Sequence, residues 1–287
     1  MLNLSTNNLA KEINSMKLKK IVAVIPIIAL VSCTYYGKKI TAEEALELSK
    51  DFVANQVNTT IPFKTIKISM DSVDSSGKDN MKVTIKSSYY CEFNDKGNTY
   101  VKANIETIYT NKTVIDYVEF YEVIDEEYEE VFYVTVYQDS KDNANTYAFT
   151  KKYSSGDYYN LTEQYESIIK YPFMTVMGFF NPTTIIESLN NQGNESNQYI
   201  GEPTYYSKGK DNLTIKISYK NNDEIDPNNE ETIEGLAYAK YDEGLLKEIE
   251  ADWTTSYDNK SSLKAKLSYT DKYSIELPNG WETYLNK

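Results

Sequence analysis

Leu213-Thr214-Ile215-Lys216-Ile217-Ser218-Tyr219 sets an apolar side chain at every second position, with Thr, Lys and Ser between them. A period of two marks a strand with one buried face and one wet face, and it selects an antiparallel sheet over a doubly covered parallel one. Downstream the pattern returns in Ile233, Gly235, Ala237, Ala239 and Tyr241, then in Leu245, Lys247, Ile249, Ala251 and Trp253, then in Leu263, Ala265, Leu267 and Tyr269. The stretches Asp242-Glu243-Gly244 and Asp258-Asn259-Lys260 are short enough to close hairpins. A final short strand is expected at Tyr273, Ile275 and Leu277, ahead of Pro278. The strand with Gly235, Ala237 and Ala239 presents only small side chains over this stretch of one face. Volume is therefore expected above it, walled by Ile215, Ile217, Ile249 and Trp253.

The same period governs the first half. Ile66, Ile68 and Met70 alternate with Lys67 and Ser69, Met81, Val83 and Ile85 alternate with Lys82 and Thr84, and Val101, Ala103 and Ile105 follow the turn 94–98. Two further strands, near 113–123 and 130–138, are apolar or aromatic on both faces, as expected where something covers the sheet. Before them, Thr41 with Glu43 and Glu44 reads as a helix start. Ala42, Ala45, Leu46, Leu48, Phe52 and Val53 keep helical spacing, so this helix is expected to run to Gln56.

Between the strand-rich halves lies an apolar interlude, 161–191. Tyr165, Ile168 and Ile169 suit an amphipathic helix; Pro172 opens a second segment with Phe173, Met174, Val176, Met177, Phe179 and Phe180; Pro182 opens a third with Ile185, Ile186 and Leu189. The middle segment is too short to span a bilayer, which takes about 20 residues. So much apolar surface calls for a concave partner, and the interlude is expected to plug a curved sheet. Five of its residues and six wall residues form the candidate ligand-binding set: Phe173, Met174, Met177, Phe179 and Phe180 facing Ile215, Ile217, Ala237, Ala239, Ile249 and Trp253. Methionine's flexible thioether suits a changing apolar guest.

Composition narrows the chemistry. The 287 residues contain 30 basic and 43 acidic side chains for a net charge of -13, and all the basic ones are Lys, with no Arg and no His. The usual general base, the usual metal ligand and the bidentate phosphate fork are thus missing, and the net charge repels nucleic acid. Asp139, Asp142 and the run Asp223, Glu224, Asp226, Glu230 and Glu231 offer oxygen ligands but no EF-hand spacing, so they read as solvated loops. No carboxylate pair or Ser-Lys arrangement stands out for catalysis. No enzymatic activity, metal or cofactor is expected, and no nucleic acid partner. The 27 tyrosines suit surface recognition, and they also follow from a Lys-, Asn-, Ile- and Tyr-rich composition.

At the N-terminus, Lys17, Lys19 and Lys20 precede an apolar run from Ile21 to Val31 and then Ser32-Cys33. This is the layout of a secretory signal peptide. Leu30-Val31-Ser32-Cys33 resembles the bacterial lipobox, which implies diacylation of Cys33 and anchoring on the outer face of the cytoplasmic membrane. Residues 1–32 are then the signal peptide, with translation expected to start at Met16, 33–40 a lipidated tether, and 41–287 a single domain. Cys91, the other cysteine, is left unpaired in a strand-like stretch and reads as a buried hydrophobe.

The order of elements resembles the LolA-like superfamily, in its branch of lipid-anchored LppX-type bacterial lipoproteins. The stretch most like that family runs from Tyr241-Asp242-Glu243-Gly244-Leu245-Leu246-Lys247 through Tyr273-Ser274-Ile275-Glu276-Leu277-Pro278. The resemblance implies an α+β fold, a curved antiparallel half-barrel with an N-terminal helix and a helical plug. It also implies a hydrophobic ligand held between sheet and plug. The alternative is a cell-surface interaction protein whose core is filled by its own side chains. A membrane, through the lipid anchor, and an acyl-chain or other apolar ligand are the expected partners.

Overall fold

The computed structural model describes residues 36–56, 63–78, 81–152, 171–172, 174–191, 203–220, 233–255 and 259–285. The leader, Cys33, the interlude residues Tyr165, Ile168 and Ile169, Phe173 and the acidic run at 223–231 lie outside the described residues.

In chain order the elements are β1 (Lys38–Ile40), α1 (Ala42–Ser49), β2 (Thr65–Lys78), β3 (Met81–Asn94), β4 (Thr99–Ile108), β5 (Thr113–Asp125), β6 (Glu129–Gln138), β7 (Asn145–Thr150), α2 (Pro182–Asn191), β8 (Thr204–Gly209), β9 (Asn212–Lys220), β10 (Ile233–Asp242), β11 (Leu245–Thr255) and β12 (Lys260–Thr270). Among the described residues the strands form one 12-stranded sheet in the order β1-β8-β9-β10-β11-β12-β2-β3-β4-β5-β6-β7. Two meanders, β2 to β7 and β8 to β12, join along a seam where β12 lies antiparallel to β2, with Thr270 opposite Thr65. The edge strands β1 and β7 do not pair with each other, so the sheet is an open, curved half-barrel, the α+β architecture expected.

The turn between β10 and β11 shows why this sequence makes this sheet. Asp242 pairs with Leu245, leaving Glu243 and Gly244 as a two-residue loop, both at positive φ (54° and 69°). A two-residue loop with that backbone twists as the flanking strands do. Gly244 also lets another segment approach: a Cβ there would sit 3.4 Å from the Val53 nitrogen, and its carbonyl accepts from the Ala54 N–H at 2.8 Å.

That contact also explains where α1 stops. Its start is the expected one, a capping box in which the Glu44 N–H donates to Thr41 Oγ1 at 3.1 Å and the Thr41 N–H to Glu44 Oε2 at 2.8 Å. The helix ends at Ser49 rather than running to Gln56. Phe52 and Ala54 are buried instead, Phe52 with its ring centroid 6.2 Å from that of Tyr241, and a 3-10 turn at Val53–Gln56 completes the docking. Tertiary burial thus overrides a helical pattern that local spacing would have continued.

Three strands were not legible, and one expected strand is absent from the sheet. β1 is three residues long, while β7 and β8 interleave Tyr and Thr or Ser without a clean alternation. Residues 273–277 join no strand of the sheet, because β12 already pairs on both sides, with β11 and β2. They begin a strap over the outer face. The Thr65 hydroxyl donates to the Lys272 carbonyl at 2.8 Å, the Ser274 hydroxyl donates to Glu92, and the Tyr273 hydroxyl to Asp95 at 3.3 Å. Farther along, Trp281 packs with Val131, Tyr133 and Ala148, and Leu285 bridges to Ala148. The strap covers Val131 and Tyr133, which explains why β6 is apolar on both faces.

Candidate functional site

The inner face of the half-barrel is best described in tiers set by strand register. In the deepest complete tier Ile215, Ala239, Ile249, Ala265, Met70, Tyr89, Ala103, Val118 and Val136 stand opposite one another across nine strands. All are apolar or aromatic, and all but Val136 are fully buried. Beside them Ile66, Ile68, Cys91, Val101, Phe120, Val134 and Tyr241 complete the main core.

Over this face sit the helices. The Tyr241 hydroxyl donates to the Phe179 carbonyl at 2.5 Å, the Ser49 and Thr183 hydroxyls hydrogen-bond at 2.9 Å to tie α1 to α2, and the Tyr171 ring lies 5.6 Å from that of Tyr89. Val176, Phe179, Phe180 and Ile186 are buried in the same core. Each such burial stabilises by about 1.5–3 kcal/mol. The plug is therefore seated on the sheet, as its composition required.

The candidate residues divide accordingly. Phe179, Phe180, Ile215, Ile217, Ala237, Ala239 and Ile249 are brought together and buried, and Trp253 is half-buried against the core. Met174 and Met177 are 61% and 40% exposed, so these two side chains turn away from the sheet instead of toward it. Spacing explains this: in one helical turn Val176, Phe179 and Phe180 share a face, and 174 and 177 fall on the other.

Toward the far ends of the strands the inner face changes character. The next tier reads Ile217, Ala237, Ala251, Leu263, Ser72, Ser87, Ile105, Asp116 and Gln138, and the one beyond it Tyr219, Gly235, Trp253, Ser261, Asp74, Ile85, Thr107 and Val114. Ser, Gly, Asp and Gln enter the face beside Ile, Leu and Ala, and burial gives way to half-exposure at Trp253, Ile85, Ile105 and Val114. Burial pushes the Asp74 carboxyl above its ordinary range, against a hydrogen bond with Ser261. It pushes Asp116 up as well, against the 2.9 Å hydrogen bond from Gln138 Nε2 and with the charge of Asp139 adding to the rise. Sequence reading did not single out Asp74 or Asp116. The available signal was Ser72 and Asp74 following Ile66, Ile68 and Met70 at the same alternate positions, where an apolar face stops being apolar.

Burial raises the Cys91 thiol far above its ordinary value, which leaves it protonated and inert. Asp139 and Asp142 serve their own turn, Asp139 Oδ1 accepting from the Ile115 N–H at 2.9 Å and Asp142 interacting with Ser140. Among the described residues no group of three or more His, Cys, Asp or Glu is placed to hold a metal ion. None of the described helices is long and apolar enough to cross a membrane.

The outer face carries a cluster of tyrosines around Glu119. Glu119 accepts from the Tyr100 and Tyr117 hydroxyls at 2.9 Å each and from Tyr121 at 3.3 Å, while Tyr117 and Tyr137 stack with centroids 4.4 Å apart. Burial and the Glu119 charge push Tyr121 up to about 12. These rings form a half-buried aromatic shelf across β4, β5 and β6.

No protein-family model matches the chain. No curated protein matches it either. Among solved structures it is similar to a β-barrel-like protein of the domain of unknown function DUF1849 from Brucella abortus, at 11% identity over 73% of this chain and 99% of that one, with a TM-score of 0.24. It is also similar to a DUF1329 family protein from Desulfovibrio piger ATCC 29098, at 12% identity over 81% of this chain and 95% of that one, with a TM-score of 0.24.

Proposed function

We propose that this chain is a LolA-like, lipid-anchored extracytoplasmic protein that holds the apolar part of a ligand on the inner face of its half-barrel. One observation carries the reading: the two tiers beyond the buried one bring in Ser72, Ser87, Ser261 and Gly235, while Trp253, Ile85, Ile105 and Val114 stay half-exposed there. A face that receives a chain needs room beside apolar walls.

Two tryptophans make the test direct. Trp253 lies on the inner face, and Trp281 lies under the strap on the outer one. In a Trp281→Phe variant, a bromine-labelled long-chain amphiphile is expected to quench Trp253 saturably. In Trp253→Phe it should leave Trp281 bright. Equal, non-saturating quenching of both would overturn the reading.

Anchoring rests on the lipobox resemblance at Leu30–Cys33. Cys33→Ala is expected to move the protein from the membrane fraction to the medium or to leave an unprocessed precursor. Unchanged partition and gel mobility would refute lipidation.

A second reading, an interaction protein with a self-filled core, is favoured by the tight seating of Val176, Phe179 and Phe180 and by the tyrosine shelf around Glu119. It predicts no saturable quenching by any amphiphile and no lipid in native mass spectra of protein purified from its host.

A further inference from the structure

Resting on the proposed ligand site, we propose that the ligand's polar end is an uncharged or cationic hydrogen-bond donor, an alcohol or amine head group, and that anionic amphiphiles are rejected. The placement of charge on the sheet carries this. In the tier that bears Trp253 and the one before it the acidic side chains are Asp74 and Asp116, and neither tier holds a lysine. The lysines that flank these tiers, such as Lys86, Lys102, Lys216, Lys240 and Lys264, occupy the alternate positions, on the outer face, while Lys78, which shares the parity of Asp74, stands two tiers beyond it opposite Met81. On the outer face Lys240 and Lys264 bind Glu248 and Glu250, and Lys86 binds Glu106.

The remaining polar groups at this end are hydroxyls and an amide. Ser72, Ser87, Ser261 and Gln138 lie in the two tiers. Thr255, two residues beyond Trp253 on the same side of β11, has a buried hydroxyl oxygen without a hydrogen-bond partner among the described residues. Among the described residues of these two tiers a carboxylate or phosphate would meet carboxyls and no cation, in surroundings where charge is poorly screened. A hydroxyl or ammonium would meet acceptors. Whether Asp74 is ionised or protonated, it offers an acceptor oxygen and never a positive charge.

The test compares three probes with the same bromine-labelled 18-carbon chain, as the free fatty acid, the monoacylglycerol and the primary amine. Each is titrated below its micelle concentration at pH 8 into the full-length Trp281→Phe protein, with Trp253 emission as readout. Monoacylglycerol and amine are expected to quench saturably, and the fatty acid to bind at least about tenfold more weakly, a difference of about 1.4 kcal/mol. Asp74→Asn and Asp116→Asn should narrow that gap. Fatty acid binding as tight as the other two overturns the head-group inference and leaves the apolar site standing. Quenching by none of the three overturns both. The wild-type side chains at 74 and 116 decide the matter even where a variant fails to fold.

Discussion

Phe180→Ala is expected to lower the free energy of unfolding by about 3–5 kcal/mol, the usual range for emptying a fully buried aromatic site. Met177→Ala, three residues earlier, should change it by no more than about 0.5 kcal/mol. The contrast follows from seating: Phe180 is 1% exposed in the main core while Met177 is 40% exposed. The neighbouring Phe179 carbonyl is held by the Tyr241 hydroxyl at 2.5 Å, so the segment is fixed in place and the vacated volume cannot easily collapse. Urea denaturation of both variants measures this. Equal effects would mean that the segment is not seated as described.

The strap yields the second large effect. Trp281 is 8% exposed and its ring lies 5.3 Å from that of Tyr128, with Val131, Tyr133 and Ala148 in the same cluster. Trp281→Ala should cost about 3 kcal/mol and open 271–285 to limited proteolysis while the rest of the sheet stays resistant. The other end of the strap is pH-sensitive. Burial disfavours the Glu92 carboxylate, but hydrogen bonds from Ser274 and Tyr90 and the Lys67 ammonium at 3.0 Å outweigh it, holding the group below its ordinary 4.5. A carboxyl lowered on folding stabilises fully above its unfolded value and loses that contribution as pH falls through its folded value. The strap is therefore expected to loosen below about pH 4.5, read by hydrogen exchange at 273–277. Glu92→Gln should flatten that acid dependence, and an unchanged profile would refute it.

Most of the sheet was legible because its faces differ. β9, β10, β11 and β12 each carry one buried, apolar row and one largely polar row, and the alternation in Leu213 to Tyr219 or Leu263 to Tyr269 survives translation into structure. β7 was not legible because the strap buries Ala148 on the side that would otherwise be wet, which erases the contrast. The strand expected at 273–277 had the right alternation and no free edge to join. Of the candidate site, the wall residues Ile215, Ile217, Ala237, Ala239 and Ile249 were found by their period. Asp74 and Asp116 were not, since a carboxyl on an inner face looks the same in sequence as one on an outer face until register is known.

The seam between β12 and β2 has a consequence for how the chain is made. β2 to β7 can pair hairpin by hairpin as they are synthesised, but the partner of β2 on its other side is about two hundred residues downstream. Until β12 arrives, β2 is an unfinished edge fourteen residues long, the kind of surface that recruits other chains. Its sequence guards against this. Lys67, Asp71 and Asp74 interrupt the apolar run along that strand, and an acid pointing inward, as Asp74 does, makes mispairing with a neighbouring molecule costly. The residue proposed above to choose a head group thus has an earlier task, keeping the half-built sheet from adding a strand from the wrong molecule.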